Sequence, residues 1–179
     1  MPYIPSASEL LNPKEILERA GIRQGMRAAD MGCGSQGHFV FPAAQMVGKS
    51  GKVWAVDILK SALNSIESRA RFENATNVEP VWSDIEVYRG TKIREASLDL
   101  VMLVNNLPKM PMIKEAIRLV KPGGKLLVVD WKLTEAPFGP PSKDRREPAA
   151  IKTDVAALGL RLVDEFEAGQ YHYGLVFVK

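Results

Sequence analysis

Cysteine and histidine are scarce in this chain, which has one cysteine, Cys33, and two histidines, His38 and His172, among 179 residues. A single cysteine excludes a disulfide framework and a Cys-rich zinc site. So few histidines exclude most His-based metal sites as well, and we expect no bound metal. The absence of disulfides fits a reducing compartment, so we expect the protein to be cytoplasmic.

Long apolar runs and a strong net charge are also missing. No run approaches the roughly 20 apolar residues of a membrane span, and residues 1–10 lack the basic and apolar regions of a signal peptide. The formal net charge is +3 without a block of like charges, so composition does not indicate nucleic acid as a partner. Hydrophobic residues make up 46% of the chain, which predicts a globular fold.

The length predicts a single domain over residues 1–179, with an N-terminal arm and helix at 1–21 and a core at 22–179. A cap residue, a proline and a glutamate stand in the order typical of a helix start from Asn12 onward, and Gly21 predicts where that helix ends. The residues before this helix have little periodicity, and we expect an arm that frays or folds over a pocket.

Beyond this helix, apolar runs of strand length alternate with stretches of helical length, which is the pattern of a parallel sheet flanked by helices. The last two runs have only a turn at 168–170 between them, so they must pair antiparallel as a hairpin. The predicted strands are 27–31, 52–58, 78–83, 98–104, 125–131, 159–167 and 172–179, and the predicted helices include 58–72, 112–120 and 148–158.

A glycine-rich turn follows the first predicted strand. Gly32, Gly34 and Gly37 form a G-x-G-x-x-G motif, which we expect to open a helix and to let the backbone approach a ligand closely. Asp57 ends the second strand about 20 residues later, where a carboxylate can accept hydrogen bonds from the hydroxyls of an adenosine ribose. The turn and the aspartate together predict a cofactor that contains adenosine.

The charge beside this turn discriminates between adenosine cofactors. Asp30 lies two residues before the first glycine, where its carboxylate would repel the pyrophosphate of a dinucleotide. S-adenosylmethionine instead carries a sulfonium and an ammonium group. An acidic strand end therefore favours S-adenosylmethionine over a nicotinamide cofactor.

Several motifs, in order along the chain, resemble those of class I S-adenosylmethionine-dependent methyltransferases. They read ADMGCG at 29–34, VD at 56–57, SDI at 83–85, LDLV at 98–101 and KPGG at 121–124. The branch that looks most similar is that of the ubiquinone and menaquinone biosynthesis methyltransferases. The resemblance implies an α/β three-layer sandwich with a seven-stranded Rossmann-like sheet of order 3-2-1-4-5-7-6 and strand 7 antiparallel. The terminal hairpin predicted above agrees with that order.

Carried over residue by residue, the resemblance implies a binding site for S-adenosylmethionine. Asp30 and the turn 32–37 would hold the methionine part, and Asp57 would hold the ribose hydroxyls. Asp84 would accept a hydrogen bond from the adenine amino group, and Asn105 would lie near the methyl group. The third glycine stands one residue later than in the family, which predicts a differently shaped loop near the methionine carboxylate. The implied cofactor-binding residues are Asp30, Gly32, Cys33, Gly34, Gly37, Asp57, Ile58, Asp84, Ile85 and Asn105.

We expect the methyl acceptor to be a small molecule. After Asn105 the sequence lacks the paired prolines and the aromatic residue with which amino-directed nucleic-acid methyltransferases hold a flipped base. A protein or RNA acceptor remains an alternative, as do a cofactor-binding interaction module without turnover and an NAD-linked oxidoreductase. In the loop 138–146, Lys143, Arg145 and Arg146 form either a clamp for an acidic acceptor or a solvated surface. This loop, the arm or the second subunit of a homodimer would close the site.

The sequence does not identify a general base. Methyl transfer is an in-line displacement in which alignment of the reactants supplies much of the rate, so no strong base is required. The alternative for His38, His172 and Tyr173 is that these side chains only pack within the fold. The candidate catalytic residues are His38, Asn106, His172 and Tyr173.

Overall fold

Seven strands and five α-helices alternate in the computed structural model, which describes residues 10–179. The predicted arm lies, up to Glu9, outside the described residues. None of the helices within 10–179 is long and apolar enough to cross a bilayer. The strands are β1 (Arg27–Met31), β2 (Lys52–Asp57), β3 (Val78–Trp82), β4 (Leu98–Val104), β5 (Val120–Trp131), β6 (Arg161–Gly169) and β7 (His172–Val178). The helices are α1 (Pro13–Ala20), α2 (Val40–Val47), α3 (Lys60–Phe72), α4 (Met110–Leu119) and α5 (Pro148–Ala157), with a 3₁₀ helix at Ser142–Asp144.

All seven strands form one sheet with the order β3-β2-β1-β4-β5-β7-β6. Strands β1 to β5 are parallel, β7 runs antiparallel to β5, and β6 runs antiparallel to β7. The predicted fold class and strand order are therefore confirmed. The carboxyl ends of β1 to β5 meet at one edge of the sheet, which is where folds of this kind bind ligands.

Two apolar clusters cover the two faces of the sheet and make the fold three layers thick. Leu17 of α1, Val40 of α2 and Ile66 of α3 are fully buried on one face. Ile113 of α4 and Ile151 of α5 are fully buried on the other. Because the central strands are covered on both faces, their sequences are nearly continuous apolar runs. This is the pattern that identified them as strands of a parallel sheet.

The first described helix begins and ends where the sequence predicts. The side chain of Asn12 accepts a hydrogen bond from the backbone N–H of Glu15 at 3.4 Å. Gly21 adopts a left-handed conformation with φ 76°, and its N–H donates to the carbonyl of Glu18 at 2.9 Å. Both ends are thus capped by short-range hydrogen bonds, which is why local sequence was sufficient to place them.

The helix after the glycine motif starts later than predicted. Gly37 has φ 56°, which is left-handed, and α2 begins only at Val40. A Cβ on Gly37 would lie 2.6 Å from the side chain of Ile66 in α3. The predicted helix does follow the motif, but it begins three residues after the last glycine, because a left-handed residue cannot continue a right-handed helix and this one is needed for close packing.

The later turns also differ slightly from the predicted ones. Strand β6 continues to Gly169, which still pairs with His172, so the hairpin turn is at 170–171 rather than 168–170. Strand β5 starts at Val120, so the KPGG segment forms an irregular first part of this strand. These differences arise from pairing between strands, which local turn propensity does not report.

Candidate cofactor-binding site

Four polar residues from four neighbouring strands meet at the carboxyl edge of the sheet. Asp30 lies near the end of β1, Asp57 ends β2, Asp84 follows β3 and Asn105 follows β4. They are close because parallel strands end at the same edge. The structure thus brings together the polar residues that the sequence placed in one site.

The glycine turn is fixed to the end of β2 by backbone hydrogen bonds. The N–H groups of Gly32 and Cys33 both donate to the carbonyl of Val56, at 2.8 and 3.0 Å. The next N–H in the turn, that of Gly34, donates to the Asp57 carboxylate at 2.9 Å. Within the described part of the chain, no atom lies within 4 Å of the position that a Cβ on Gly34 would occupy. The turn therefore presents an open backbone surface beside two buried carboxylates.

Asp57 is held rigidly at the end of β2. Its two carboxylate oxygens accept hydrogen bonds from the N–H groups of Gly34 and Leu59, each at 2.9 Å. The residue is buried. A carboxylate oxygen has two lone pairs, so each oxygen can accept one further hydrogen bond. The geometry therefore suits a ligand with two neighbouring hydroxyls.

Asp30 gives the site its electrostatic character. Burial, and then the nearby carboxylate of Asp57, raise the pKa of Asp30 to about 7. Two acidic groups in a buried cleft disfavour a second negative charge and favour a cation. A ligand that places a positive charge here would stabilise the ionised form of Asp30.

A cavity of about 340 Å³ lies beside the glycine turn. It is bounded by Asp30 and the turn on one side and by Asn105 on the other. A larger groove of about 710 Å³ runs along α4 and is lined by Lys179, which lies at the opposite end of β7 from the strand ends of the site. We place the site at the smaller cavity, because the buried carboxylate of Asp30 lines it together with the open backbone of the glycine turn. The remaining lining residues are Leu10, Leu11, Gly32, Cys33, Gly34, Ser35, Gln36, His38, Phe39 and Val104.

The outer end of the site, beyond β2 and β3, is more open. Ile58 is 52% exposed, and its carbonyl accepts a hydrogen bond from the indole of Trp82 at 2.8 Å. Asp84 is partly buried and accepts from the N–H of Glu86 at 2.8 Å. The side chain of Ile85 extends back toward the glycine turn. Sequence reasoning missed Trp82, although an exposed tryptophan at a strand end is a recognisable signal.

The loop after β4 is strained and is held in place by a buried acid. Asn105 and Leu107 both have left-handed backbones, with φ 56° and 49°. The carboxylate of Asp130, at the end of β5, accepts from the N–H of Leu107 at 2.8 Å. The loop places the amide of Asn106 directly against Gly32. Sequence reasoning missed Asp130, although an aspartate inside an otherwise apolar run is the signal that marks it.

The candidate catalytic residues are separated by the structure. His38 lines the cavity, and its Nε2 lies 3.3 Å from the carbonyl oxygen of Leu11. Asn106 lies against the glycine turn, whereas the Tyr173 hydroxyl donates to the carbonyl of Arg146 at 3.0 Å. His172 is fully buried at the start of β7. Only His38 and Asn106 thus lie beside the glycine turn.

Cys33 is chemically inert, and Arg145 and Arg146 are engaged in contacts within the protein. Burial, with the charges of the nearby aspartates, raises the pKa of Cys33, so the thiol stays protonated and is not a nucleophile. Arg145 is buried and donates to three backbone carbonyls, and Arg146 forms an ion pair with Asp154 at 2.8 Å. These contacts tie the loop 138–146 to neighbouring segments, and the clamp for an acidic acceptor stays a prediction that no observation tests.

Comparison with known protein sequences gives one family and several relatives. The family model described as a methyltransferase domain matches residues 22–168. The ubiquinone/menaquinone biosynthesis C-methyltransferase of Laribacter hongkongensis is 33% identical over 128 residues, which is 69% of this chain and 50% of that protein. A demethylmenaquinone methyltransferase of a Geobacillus species is 26% identical over 121 residues, 65% of this chain and 50% of that protein. The chain thus spans about half the length of the curated relatives it matches.

Comparison with solved structures gives the same fold. A SAM-dependent methyltransferase from Aquifex aeolicus superposes with a TM-score of 0.87 at 25% identity, covering 97% of this chain and 93% of that one. The [4+2]-cyclase SpnF superposes with a TM-score of 0.77 at 16% identity, covering 93% of this chain and 80% of that one. At that identity the second likeness concerns the fold alone.

Proposed function

The chain belongs to the methyltransferase domain family, and we propose that it transfers the methyl group of S-adenosylmethionine to a small-molecule acceptor. S-adenosylmethionine is the cofactor of this class of proteins. The observation that carries the proposal is the pair of buried carboxylates, Asp30 and Asp57, beside an open glycine turn. This arrangement fits a cationic adenosine derivative and repels a pyrophosphate.

We assign the parts of the cofactor to the groups that suit them chemically. Asp30 and the glycine turn would face the charged methionine part, and Asp57 would accept from both ribose hydroxyls. Asp84 would accept from the adenine amino group. Asn105 would lie near the methyl group, because it follows the strand next to β1 on the side away from β2. The residues that would line the rest of the site are Gly32, Cys33, Gly34, Gly37, Ile58 and Ile85.

When bound, the cofactor supplies an electrophilic methyl group and a neutral thioether leaving group. The chain has to hold the acceptor in line with these two atoms and to exclude water. The glycine turn is fixed by β2, and the loop at Asn105 is fixed by Asp130, so both walls of the cavity are rigid. Such preorganisation is sufficient to accelerate the transfer without a strong base.

For the acceptor, we propose an oxygen-bearing ring of the quinone type. The names of two relatives, a ubiquinone/menaquinone biosynthesis C-methyltransferase and a demethylmenaquinone methyltransferase, point to that class. Methylation of a protein or of RNA is the alternative. A cytoplasmic location and a homodimer remain proposals, and light scattering at several protein concentrations would measure the oligomeric state.

A methyl-transfer assay tests the proposal. With isotopically labelled S-adenosylmethionine and a short-chain demethylmenaquinol, we expect label in the quinol and release of S-adenosylhomocysteine. Replacing Asp57 with alanine removes the acceptor for the ribose hydroxyls and should weaken cofactor binding about tenfold or more. The exposed pair of Glu67 and Arg71 offers a control, since Arg71→Ala should leave turnover unchanged. Cofactor binding without transfer to quinol, protein or RNA would contradict the proposed activity.

A further inference from the structure

His172, the first residue of β7, is an unusual buried group. Its side chain is fully buried, yet neither Nδ1 nor Nε2 has a hydrogen-bond partner among residues 10–179. More than about 90% of buried polar groups in folded proteins have a partner. Leaving one unpaired destabilises the fold, so a buried imidazole with two unpaired nitrogens calls for an explanation.

His172 lies at the same edge of the sheet as the cofactor cavity. It pairs with Trp131 at the carboxyl end of β5, and β5 lies next to β4, which ends at the cavity wall. Neighbouring strands are about 4.8 Å apart, so β7 is roughly 10 Å from β4 along this edge. His172 therefore lies beyond the methyl end of the proposed cofactor position, at the distance where an acceptor would bind.

His172 also lies on the same face of the sheet as the cavity. Val176, four residues later on β7, packs in the apolar cluster with α1, α2 and α3, and strand residues four apart share a face. Leu11 belongs to the same cluster and lines the cavity. Leu11 also packs beside Gly169, which pairs with His172. The N-terminal segment thus joins the cavity to the surroundings of His172.

The groups around His172 form an aromatic cluster, which we define as Trp131, Phe138, Tyr171 and His172. The ring centroids of His172 and Trp131 are 4.1 Å apart. Phe138 contacts Trp131 edge to face at 6.1 Å and Tyr171 at 5.3 Å. Phe138 and Tyr171 are only partly buried and lie on a loop and on a hairpin turn. They can separate to admit a flat ring without disturbing the sheet.

The charges near His172 restrict the ligand further. Burial, followed by the positive charges of Lys132 and Arg145, lowers the pKa of His172 to about 4. The imidazole is therefore neutral at physiological pH, with one N–H donor and one nitrogen acceptor. Two cations nearby disfavour an amine as acceptor. A hydroxyl or its oxyanion fits both the charge and the hydrogen-bonding capacity.

We propose that His172 binds the methyl acceptor through a hydrogen bond to a hydroxyl on a planar, uncharged or anionic ring that packs against Trp131. The assignment rests on the proposed function, because it takes the acceptor site to be beside the cofactor. The neutral imidazole orients the acceptor and polarises its hydroxyl, and the proton that the methyl group replaces on the acceptor is released to solvent. The unpaired nitrogens of the structure are then the groups that the ligand satisfies.

Variants at position 172 separate acceptor binding from folding. His172→Phe keeps the ring and removes both polar atoms, so we expect an equal or higher melting temperature and an unchanged Kd for S-adenosylhomocysteine. Methyl transfer to a short-chain demethylmenaquinol should fall about tenfold or more, with a raised KM. His172→Gln restores a donor and an acceptor and should recover part of the loss. Tyr173→Phe is the control, since it removes a hydroxyl that does have a partner and should lower the melting temperature without a specific rise in KM.

A spectroscopic measurement completes the test. In ¹⁵N-histidine-labelled protein saturated with S-adenosylhomocysteine, we expect 1,4-dihydroxynaphthalene to shift the ring resonances of His172. If the resonances do not move, or if His172→Phe transfers methyl groups with an unchanged KM, the inference is overturned while the proposed function stands. If S-adenosylhomocysteine itself fails to bind, the proposed function fails, and the inference that rests on it is overturned as well.

Discussion

At the scale of single residues, Asp30 and Asp57 carry the proposed selectivity of the site. Both are buried, and they lie close enough for the charge of Asp57 to affect the pKa of Asp30. Asp57 is stabilised by two backbone N–H groups, whereas the pKa of Asp30 is raised to about 7. The ionised carboxylate of Asp30 therefore destabilises the ligand-free protein, and a cationic ligand would offset this destabilisation.

The raised pKa of Asp30 predicts a pH-dependent affinity. Since a cation binds best to the ionised carboxylate, the affinity for S-adenosylmethionine should rise as the pH increases from 6 to 8. Asp30→Asn should weaken binding and remove this dependence. Titration calorimetry at several pH values measures both effects, and an affinity that is independent of pH in the wild-type protein would contradict the assignment.

The stability of the ligand-free protein should instead fall as the pH rises. The pKa of Asp30 is 3.8 in an unperturbed chain and about 7 in the fold, so its protonation favours the folded state. That contribution is complete below about pH 4 and is lost as the pH rises through 7. The ligand-free Asp30→Asn variant should therefore be more stable than wild type at pH 8 and similar to it at pH 4.

The residues of the site differ in how well the sequence reveals them. Asp30, Asp57 and the glycines follow strands directly, so local patterns identify them. Asp130 ends the apolar run after the KPGG motif and His172 lies in no motif, and the role of each arises from contacts across strands that are distant in sequence. No local pattern shows that an imidazole is buried without a partner.

At the scale of elements, α4 anchors the segment that leads from β3 to β4. Glu115 is fully buried and accepts from the N–H of Arg89 at 2.7 Å and from the hydroxyl of Thr91 at 2.6 Å. It also forms an ion pair with the buried guanidinium of Arg118 at 2.7 Å. The segment begins beside Asp84, so this network supports the adenine end of the proposed cofactor site.

Replacing Glu115 with leucine should be strongly destabilising. It leaves the buried Arg118 guanidinium without its charged partner, which typically costs about 3–5 kcal/mol in the free energy of unfolding. Urea denaturation measures the loss. The exposed i,i+4 pair of Glu67 and Arg71 is the matched comparison, and breaking it should cost at most about 0.5 kcal/mol. Similar losses in the two variants would contradict a structural role for the buried pair.

The sequence predicted the type of most helices and strands well, and the residues at which they begin and end less well. The helix from Asn12 was predicted correctly because its caps are local. The start of α2 at Val40 was not predicted, because Gly37 is left-handed for the sake of its contact with Ile66. The hairpin turn was misplaced because Gly169 remains in register with His172. Element ends therefore follow tertiary contacts wherever capping residues are absent.

At the scale of the whole molecule, the sequence was sufficient to predict the fold. Helices connect most of the five parallel strands and two end strands form a hairpin, which leaves few sheet orders open. The resemblance to a family supplied the order itself. The sequence left open whether the loop 138–146, the arm or a second subunit closes the site, and the aromatic cluster at the proposed acceptor site combines the end of β5, that loop and the β6–β7 turn. The reading of residues 1–179 as one domain stays a prediction, which a single cooperative unfolding transition would support.

The most direct test of the cofactor assignment is a calorimetric titration of the purified chain with S-adenosylhomocysteine, S-adenosylmethionine and NAD⁺. We expect saturable binding of one equivalent of either adenosyl compound per chain and no binding of NAD⁺, because the carboxylate of Asp30 beside the glycine turn repels its pyrophosphate. Binding of NAD⁺ with no heat from either adenosyl compound would contradict the assignment.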